Sequence, residues 1–414
     1  DWVYILKIMR EKLAIFLDTQ KNSGGAYQEL IYMIDRLDKL YNEKIEIIII
    51  SNSKNLQINI KGKNFTTYYL SMNFFERHIA FLRNFDPTIR RLKKYFFFRN
   101  KLESFLKKIK VDLVYFTGPS QYSMYLEDTD FILTIPDVSH RENLEFPEWT
   151  KSSEFLRRDE ILSKSAVKAI AVITNAEIIK EKISTFYSVE KERIYVINHR
   201  PSIGISSFNK FDQKVYEKIA NKYNLPKKYI FYPAMYLPHK NHKYVIDTIK
   251  ILNEKFKLDI SAVFCGSDKG YLKKIKSYTS EVNQSNNVHF LDFVEDDHLP
   301  YLYLSSQALV MPTFSGPTNI PPWEAFKLKV PVFYSDIHNI RKVYKDAVYY
   351  IDPFNPETLV KGFLELTKDE EKKTELLSKG ENLLNSIDEN KEFGQFLEIF
   401  KKRRKIKDTW EFLN

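Results

Sequence analysis

Short apolar runs, rich in β-branched and aromatic residues, recur along the chain with amphipathic stretches between them. In the first half the runs begin at Leu13, Ile45, Val111, Phe131, Ala169 and Arg193. In the second half they begin at Tyr229, Leu258, Val288, Ala308, Val330 and Ala347. Continuous apolar strands that alternate with helical segments are typical of parallel sheets covered on both faces. The pattern predicts an α/β protein with two doubly wound, Rossmann-like domains.

The boundary between these domains is predicted where the strand pattern stops. The stretch from Arg200 to Leu225 contains no strand, and it begins with Pro, Ser and Gly, so we place a linker near residues 200–213. The predicted domains are residues 1–205 and 206–390, followed by a carboxy-terminal helix over 391–414 that packs back on the first domain. In such sheets ligands bind beyond the carboxyl ends of the strands, so the cleft between two domains is the expected pocket.

Composition narrows the class of protein. The 414 residues are 43% hydrophobic, which excludes wholesale disorder. Their net charge of +10 suits a phosphate-bearing partner. No nucleic-acid-reading module accompanies the basic residues, so nucleic acid is disfavoured. A lone cysteine, Cys265, excludes an internal disulfide and a cysteine-based zinc site. No apolar run approaches the roughly 18–20 residues of a membrane span, and we expect a cytoplasmic protein.

Two loops of the first half carry candidate chemistry. Gly24 and Gly25 follow the first strand and precede a helical pattern, where free backbone amides can approach a ligand. An ordinary turn explains this pair equally well. After the fourth run, Asp137 and His140 stand at a strand end, where they suit the polar acceptor side of a cleft. The alternatives are that Asp137 caps the following turn and that His140 is an ordinary surface histidine.

The second half has two such loops. Lys240 falls where a helix begins, so its charge and free backbone amides together suit a phosphate, although a solvated lysine is common in so basic a chain. The densest loop runs over TFSGPTNIPPWEAF from Thr313, where Gly316, Thr318 and Asn319 offer donors and two prolines suit a first helical turn. Glu324 is placed to accept two ribose hydroxyls, or is a helix-surface carboxylate.

Together these motifs resemble the GT-B glycosyltransferases, specifically the retaining family 4 and a GPTNIPPxEA variant of its donor loop. The resemblance is strong over most of residues 225–365 and weaker in the first half, where Gly24-Gly25 and TIPDVSHRENLEFPE carry it. The matching segments, in order, are Lys240-Asn241, Cys265-Gly266-Ser267, VHFLDFV from Val288, Gly316 to Ala325, and Pro331-Val332.

The resemblance implies transfer of a hexose from a nucleotide diphosphate sugar, with retention of configuration and without a bound metal or other cofactor. It assigns Lys240 to the diphosphate and Glu324 to the ribose. Gly266 and Val294 belong to the implied donor site, with Val294 near the base, and Gly24 and Gly25 close over the diphosphate from the other domain. The backbone facing the sugar and its phosphate comprises Ser315, Gly316, Pro317, Thr318, Asn319 and Ile320.

Three positions depart from the family pattern. Gly316 stands where the family often has a Glu, Met235 where it has an Arg, and Pro136 where a His precedes Asp137. His140 is the candidate substitute for that missing histidine, so Asp137 and His140 are the predicted catalytic residues. The departures leave open a second hypothesis, a nucleotide-sugar-binding protein without turnover. A third is another GT-B enzyme, such as a nucleotide-sugar epimerase.

The implied role is assembly of bacterial surface polysaccharide, such as lipopolysaccharide, on a glycan or lipid-linked acceptor. The subfamily pattern favours a GDP-mannose-like donor, with uracil and thymine nucleotides as alternatives. Residues 81–110 are rich in Lys and Arg with apolar positions at helical spacing, so they are either packed helices or a surface for anionic lipid at the inner face of the cell membrane. Asp128-Thr129-Asp130 resembles a metal-binding DxD, but it precedes a strand and is interpreted as a turn.

Overall fold

The structure, a computed structural model, describes residues 11–18, 24–41, 45–54, 58–60, 62–86, 88, 91, 100–151, 153–292, 294–316, 318–337 and 339–410. Within these ranges the chain forms two parallel sheets with helices packed against them. The predicted α/β class, with two doubly wound Rossmann-like units, is confirmed.

The first sheet is built from the amino-terminal half. Its strands are β1 (Glu11–Leu17), β2 (Ile45–Ser51), β5 (Thr66–Tyr69), β6 (Leu113–Phe116), β7 (Phe131–Thr134), β8 (Ala171–Thr174) and β9 (Ile194–Val196), while β3 (Asn59–Ile60) and β4 (Lys63–Asn64) form a separate antiparallel pair. The order across the sheet is β5-β2-β1-β6-β7-β8-β9, and neighbouring strands run parallel. All six predicted runs of this half are strands. Strand β5 and the β3–β4 pair were not predicted.

The second sheet is built from the six predicted runs of the carboxy-terminal half. Its strands are β10 (Tyr229–Pro233), β11 (Ser261–Cys265), β12 (Val288–Leu291), β13 (Ala308–Met311), β14 (Val332–Ser335) and β15 (Tyr349–Ile351). They lie parallel in the order β12-β11-β10-β13-β14-β15.

Helices connect the strands of both sheets. Those of the first half are α1 (Gly25–Tyr41), α2 (Phe74–Phe85), α3 (Lys101–Lys108), α4 (Ser139–Glu142), α5 (Pro147–Thr150), α6 (Glu154–Ser165) and α7 (Glu177–Tyr187). Those of the second half are α8 (Ile203–Ser206), α9 (Gln213–Tyr223), α10 (His242–Phe256), α11 (Leu272–Glu281), α12 (Leu299–Leu304), α13 (Ile320–Leu328), α14 (Arg341–Tyr344), α15 (Pro356–Lys368), α16 (Glu370–Asn385) and α17 (Glu389–Lys407). Short 3₁₀ turns occupy Gln121–Tyr125, Lys191–Arg193 and Pro238–Lys240.

Strand β1 shows why continuous apolar runs suit this fold. Successive side chains of a strand point to opposite faces. Ala14 and Phe16 join one buried cluster, whereas Leu13, Ile15 and Leu17 join another. The carboxy-terminal helix α17 covers the second face through Phe393, Phe396, Ile399 and Phe400. Arg403 in the same helix pairs with Asp130 beside β7 (2.7 Å), so the chain returns to the first sheet at its end.

The strand order of each sheet reverses once, between β1 and β6 and between β10 and β13. Such switch points are where doubly wound sheets bind ligands, because the two flanking loops leave in opposite directions and open a crevice. The two switch points face each other here. A Cβ placed on Gly25, at the start of α1, would lie 3.3 Å from Cδ1 of Ile320 at the start of α13. Gln28 Nε2 also donates to Asp296 Oδ1 across the same gap (2.9 Å).

Candidate functional site

Lys240 lies in the loop that follows β10, at the switch point of the second sheet. The loop forms a 3₁₀ turn over Pro238–Lys240, and Asn241 then takes a left-handed conformation (φ 55°) before α10 begins. The hydroxyl of Tyr232 donates to the Lys240 carbonyl (2.8 Å), which fixes the backbone. The Lys240 Nζ donates to Asn319 Oδ1 (3.2 Å), so its side chain lies against the loop that follows β13.

The charge of Lys240 is available to an anion. Burial lowers the pKa of Lys240 to about 8, and the nearby carboxylates of Asp137 and Glu148 oppose that effect. Among the described residues, no carboxylate lies within ion-pair distance of Lys240 Nζ; its hydrogen-bond partner is a neutral amide. A cation in a site of low dielectric, beside the amino terminus of the fifteen-residue helix α10, is well suited to a phosphate.

The loop after β13 is held by Asn319 of the same loop and by Tyr334 of β14. Gly316 has φ 92°, a conformation that other residues rarely adopt. Its carbonyl accepts hydrogen bonds from Asn319 Nδ2 (2.8 Å) and from the Tyr334 hydroxyl (2.9 Å). Helix α13 follows, with Pro321 and Pro322 in its first turn as predicted. These prolines lack N–H groups, so α13 presents fewer free amides than an ordinary helix start. The charge of Lys240 is therefore the stronger attraction for an anion at this loop.

Two other members of this loop, Ser315 and Thr318, differ in whether their polar groups have a hydrogen-bond partner. Ser315 is buried, and its backbone N–H donates to Thr313 Oγ1 (3.3 Å). The Thr318 hydroxyl is buried and makes no hydrogen bond to any residue that the structure describes, so it retains capacity for a ligand. Pro317 lies outside the described residues.

Gly266 and Val294, two further predicted site residues, have different surroundings. A Cβ on Gly266 would lie 2.3 Å from the Ala234 carbonyl oxygen and 2.9 Å from the Met235 nitrogen. The absence of a side chain therefore lets the loops after β10 and β11 approach each other, a structural need that exists without any ligand. Val294 is half-buried and packs against the core of the second sheet.

Glu324 is a buried carboxylate, not the helix-surface residue of the alternative interpretation. Its side chain is at a position only 4% exposed, and burial raises its pKa. Oε2 accepts a hydrogen bond from the Tyr303 hydroxyl (2.7 Å). Oε1 accepts a long one from the backbone N–H of Ser202 (3.4 Å), in the segment that joins the two sheets. Oε1 thus keeps most of its capacity to accept a stronger donor.

Gly24 and Gly25 lie at the start of α1, opposite the loop that follows β13. Gly24 is exposed, with φ 60° and open space around its Cβ position. Gly25 faces the side chain of Ile320, as described above. The pair is therefore close to the second switch point.

Asp137, just beyond β7, caps the following turn and also forms an ion pair. Its Oδ1 accepts from the Ser139 backbone N–H (2.9 Å) and from Arg158 (3.0 Å). Burial would raise the pKa of Asp137, but the Arg158 charge and these hydrogen bonds hold that pKa at about 2. Asp137 is thus a permanent carboxylate near neutral pH, and its charge acts on Lys240 across the cleft.

His140 does not line the cleft. Its side chain is 0% exposed; Nε2 lies 3.0 Å from the Tyr187 hydroxyl and 3.5 Å from Asp159, and Phe155 packs on its ring. Burial, followed by the Arg158 charge, lowers its pKa to about 4, so the ring is neutral at neutral pH. An acceptor sugar has no access to it in this structure. The short helix α4 turns the ring inward against α7, and the role of His140 at the nucleophile's site stays a prediction.

Three residues that the sequence analysis did not select lie between Asp137 and Lys240. Glu148 accepts hydrogen bonds from His239, the neighbour of Lys240, and Trp149 stacks on the His239 ring. Arg158 joins Asp137 to this group. Of the three, only Glu148 lies in the motif TIPDVSHRENLEFPE, as its last residue after a proline; Trp149 and Arg158 follow that motif.

Two further groups of charged residues remain, and the sequence predicted a structure only for the first. Asp128-Thr129-Asp130 is a turn, as interpreted: the backbone N–H groups of Asp128 and Thr129 both donate to Glu103 Oε1 (3.1 and 3.2 Å). Elsewhere, Glu295, Asp297 and His298 lie close enough to share a cation. This group is largely exposed and Glu295 pairs with Lys222 (2.6 Å), so we assign it no role.

The basic segment 81–110 is described only in part, since residues 87, 89–90 and 92–99 lie outside the described ranges. In α3, Leu102 and Leu106 are buried, and Lys101 and Lys107 form salt bridges with Glu76 (2.8 Å) and Asp128 (2.9 Å). This part is a packed helix with an exposed basic face. No helix in the described ranges has the length and apolar character needed to cross a membrane.

Comparison with known families bears on the second half of the chain. Residues 215–383 match the family model "Glycosyl transferases group 1". The O-antigen chain mannosyltransferase RfbU of Salmonella typhimurium is 26% identical over 193 residues, which are 47% of this chain and 50% of that protein. O-antigen chain mannosyltransferase B of Escherichia coli is 23% identical over 153 residues, 37% of this chain and 40% of that protein. The matched region thus spans about half the length of these curated relatives.

Solved structures match nearly the whole chain. A glycosyltransferase from Rickettsia africae has a TM-score of 0.68 at 14% identity, covering 95% of this chain and 98% of that one. HepE of Anabaena, in complex with UDP, has a TM-score of 0.67 at 14% identity, covering 95% and 100%. WaaG, a glycosyltransferase involved in lipopolysaccharide biosynthesis, has a TM-score of 0.67 at 14% identity, covering 91% and 96%. At these identities the likeness establishes the fold.

Proposed function

We propose that this protein is a retaining hexosyltransferase. The chain has the GT-B glycosyltransferase fold, and its residues 215–383 match the glycosyl transferases group 1 family. It moves a hexose from a nucleotide diphosphate sugar to a glycan or lipid-linked acceptor, without a bound metal. The proposed setting is the assembly of a surface polysaccharide, since the matched relatives are named for O-antigen chains.

The observation that carries this proposal is the position of Lys240. Its ammonium group lies at the switch point of the second sheet, between the start of α10 and the loop Gly316–Asn319. The carboxylates of Asp137 and Glu148, in the first domain, are near enough to oppose the effect of burial on its pKa. Breaking the bond between the anomeric carbon and the donor oxygen leaves negative charge on a diphosphate. A fixed cation and helix amino-terminal amides in a water-poor cleft stabilise that charge as it develops.

The remaining donor contacts follow from the same arrangement. Glu324 Oε1 is proposed to accept a ribose hydroxyl, which would replace its long contact with the Ser202 N–H. Thr318, in the loop after β13, is proposed to supply its buried hydroxyl, which has no hydrogen-bond partner among the described residues. Val294 is proposed to contact the base, and the backbone of Gly24 and Gly25 to close over the diphosphate from the first domain.

On the acceptor side, Asp137 is the proposed functional carboxylate. Because the Arg158 pair holds its pKa at about 2, Asp137 is a weak base and suits hydrogen bonding and charge stabilisation near the reacting sugar better than full proton transfer. His140 has no direct role in this proposal, because its ring is buried.

The donor is proposed to be GDP-mannose first, because the matched relatives are named mannosyltransferases. UDP sugars are the alternative to test beside it, since HepE was solved in complex with UDP. A suitable test incubates the protein with each donor and a lipid-linked or oligosaccharide acceptor in EDTA, and follows nucleoside diphosphate release and the anomeric configuration of the product. Acceptor-dependent release with retained configuration supports the proposal; inversion, or release only with added metal, contradicts it.

A second candidate is a nucleotide-sugar-binding protein without turnover. Gly316 and Met235 favour it, since both lack the charged side chains that the family often has there. The same assay separates the two functions: this candidate predicts donor binding with no nucleoside diphosphate release in the presence of any acceptor.

A further inference from the structure

A short segment of the first domain reaches across the cleft and holds the residue before Lys240. The backbone N–H of His239 donates to Glu148 Oε1 (3.0 Å), and the ring Nδ1–H of His239 donates to the same oxygen. Both side chains are 8% exposed. Burial lowers the pKa of His239, so the ring is neutral, and Glu148 sets its tautomer.

Aromatic packing surrounds this pair. The Trp149 ring stacks on His239, with centroids 5.7 Å apart and an interplanar angle of 25°. Phe146 packs on Phe314 of the donor loop (5.6 Å). The Phe314 N–H donates to the His239 carbonyl (2.8 Å). The backbone of His239 is therefore held from both sides, whereas Lys240 itself is held from within the second domain by Tyr232 and Asn319.

The same segment leads back to Asp137. The Arg158 guanidinium lies 5.1 Å from the centre of the Trp149 ring and pairs with Asp137 (3.0 Å). A continuous set of contacts thus joins the acceptor-side carboxylate to the donor-side lysine, from Asp137 through Arg158, Trp149 and His239.

Packing alone does not explain a carboxylate at position 148. Its Oε2 and the Trp149 Nε1 are buried, and neither makes a hydrogen bond to any described residue. A buried carboxylate oxygen without a donor is costly, and an apolar side chain would fill such a contact at less expense in stability. Groups retained at such a cost are typical of functional positions.

We propose that Glu148 is a positioning residue, which fastens the acceptor-side segment to the donor loop through His239 and so sets Asp137 against Lys240. This inference rests on the proposed function. The nucleotide contacts proposed above lie mainly in the second domain, whereas Glu148 belongs to the first. Loss of Glu148 should therefore separate nucleotide binding from transfer.

The test compares Glu148→Ala and Glu148→Gln with a matched control, Glu145→Ala, at an exposed glutamate three residues earlier. In Glu148→Ala we expect kcat to fall by about tenfold or more, the loss that follows from removing a hydrogen bond to a charged group, while the Kd for free nucleoside diphosphate changes by less than about threefold. Glu148→Gln keeps an acceptor oxygen for His239 and should recover part of kcat. Glu145→Ala should match the wild type.

A second readout needs no nucleotide. Amide hydrogen exchange of the peptide that contains His239 should speed up by about tenfold or more in Glu148→Ala and remain unchanged in Glu145→Ala. Unchanged exchange in Glu148→Ala would overturn the proposal, as would a loss of nucleotide affinity equal to the loss of kcat. A wild type that binds no nucleotide would instead refute the proposed function, while the exchange measurement would still decide whether Glu148 holds His239.

Discussion

The Nζ of Lys240 and the Oδ1 of Asn319 lie 3.2 Å apart and join the loops that follow β10 and β13. These two strands are neighbours at the point where the order of the second sheet reverses. Since Asn319 is neutral, it orients the ammonium group without cancelling its charge. An incoming phosphate can therefore replace or share this contact without first breaking an ion pair.

Replacing Lys240 should weaken nucleotide binding. A hydrogen bond to a charged group contributes about 1.5–3 kcal/mol, so Lys240→Ala is expected to raise the Kd of the preferred nucleoside diphosphate by about ten- to a hundredfold. Lys243→Ala is the matched control, because Lys243 is exposed in the first turn of α10 and pairs with Asp247. Titration calorimetry measures both. Equal affinities in the Lys240 and Lys243 variants would show that the diphosphate lies elsewhere.

Nucleotide binding should also weaken with rising pH. Burial lowers the pKa of Lys240 to about 8, so the ammonium form that attracts a diphosphate is lost as pH rises through that value. Measured from about pH 7 to about pH 10, affinity is expected to fall above about pH 8. Lys240→Arg is the control, because a guanidinium stays protonated throughout this range. If the arginine variant showed the same decline, the titration would belong to another group, such as the nucleotide base.

Gly266 is expected to contribute to the stability of the fold in the absence of any ligand. A Cβ there would lie 2.3 Å from the Ala234 carbonyl oxygen, a backbone atom that cannot rotate aside as a side chain could. Gly266→Ala should lower the free energy of unfolding by about 1–3 kcal/mol, as overpacking does. Gly118→Ala, with open space around the added methyl group, should have little effect. Chemical denaturation of both variants without nucleotide checks this; equal stabilities would contradict it.

Asp137 should stabilise the fold in a pH-dependent way. Its pKa in the folded chain is held at about 2, below the ordinary 3.8, mainly by the charge of Arg158 against the effect of burial. This stabilisation is present above about pH 4 and is lost as pH falls towards 2. The difference in unfolding free energy between wild type and Asp137→Asn should therefore shrink on acidification. The exposed Asp346→Asn serves as control, and a constant difference for Asp137→Asn would refute the ion-pair account.

Much of the fold was predictable because it depends on local pattern. Each of the twelve apolar runs is a strand, since strands buried on both faces must be apolar throughout. Strand β5 was missed because Thr66–Tyr69 lies at the sheet edge, where half-exposed polar and aromatic residues replace the apolar run. Its existence depends on pairing with β2, which periodicity in its own residues does not reveal.

The site was predictable where loops follow strands and less so where distant segments meet. Lys240 and Asn319, chosen from separate loops, lie together because β10 and β13 are adjacent. The contact of Glu148 with His239 spans 91 residues and two domains, so no local signal announces it. The burial of His140 was not predictable for the same reason, since its partner Tyr187 comes 47 residues later.

The most direct test of the central claim is thermal unfolding of wild type and Lys240→Ala with GDP, UDP and dTDP, each in EDTA. A ligand at about a hundred times its Kd adds about 2.7 kcal/mol to the stability, which gives a measurable rise in melting temperature. We expect one nucleotide to stabilise the wild type in EDTA and to have a much smaller effect on the variant. Stabilisation by none of the three, or equal stabilisation of both proteins, would contradict a nucleotide diphosphate site at Lys240.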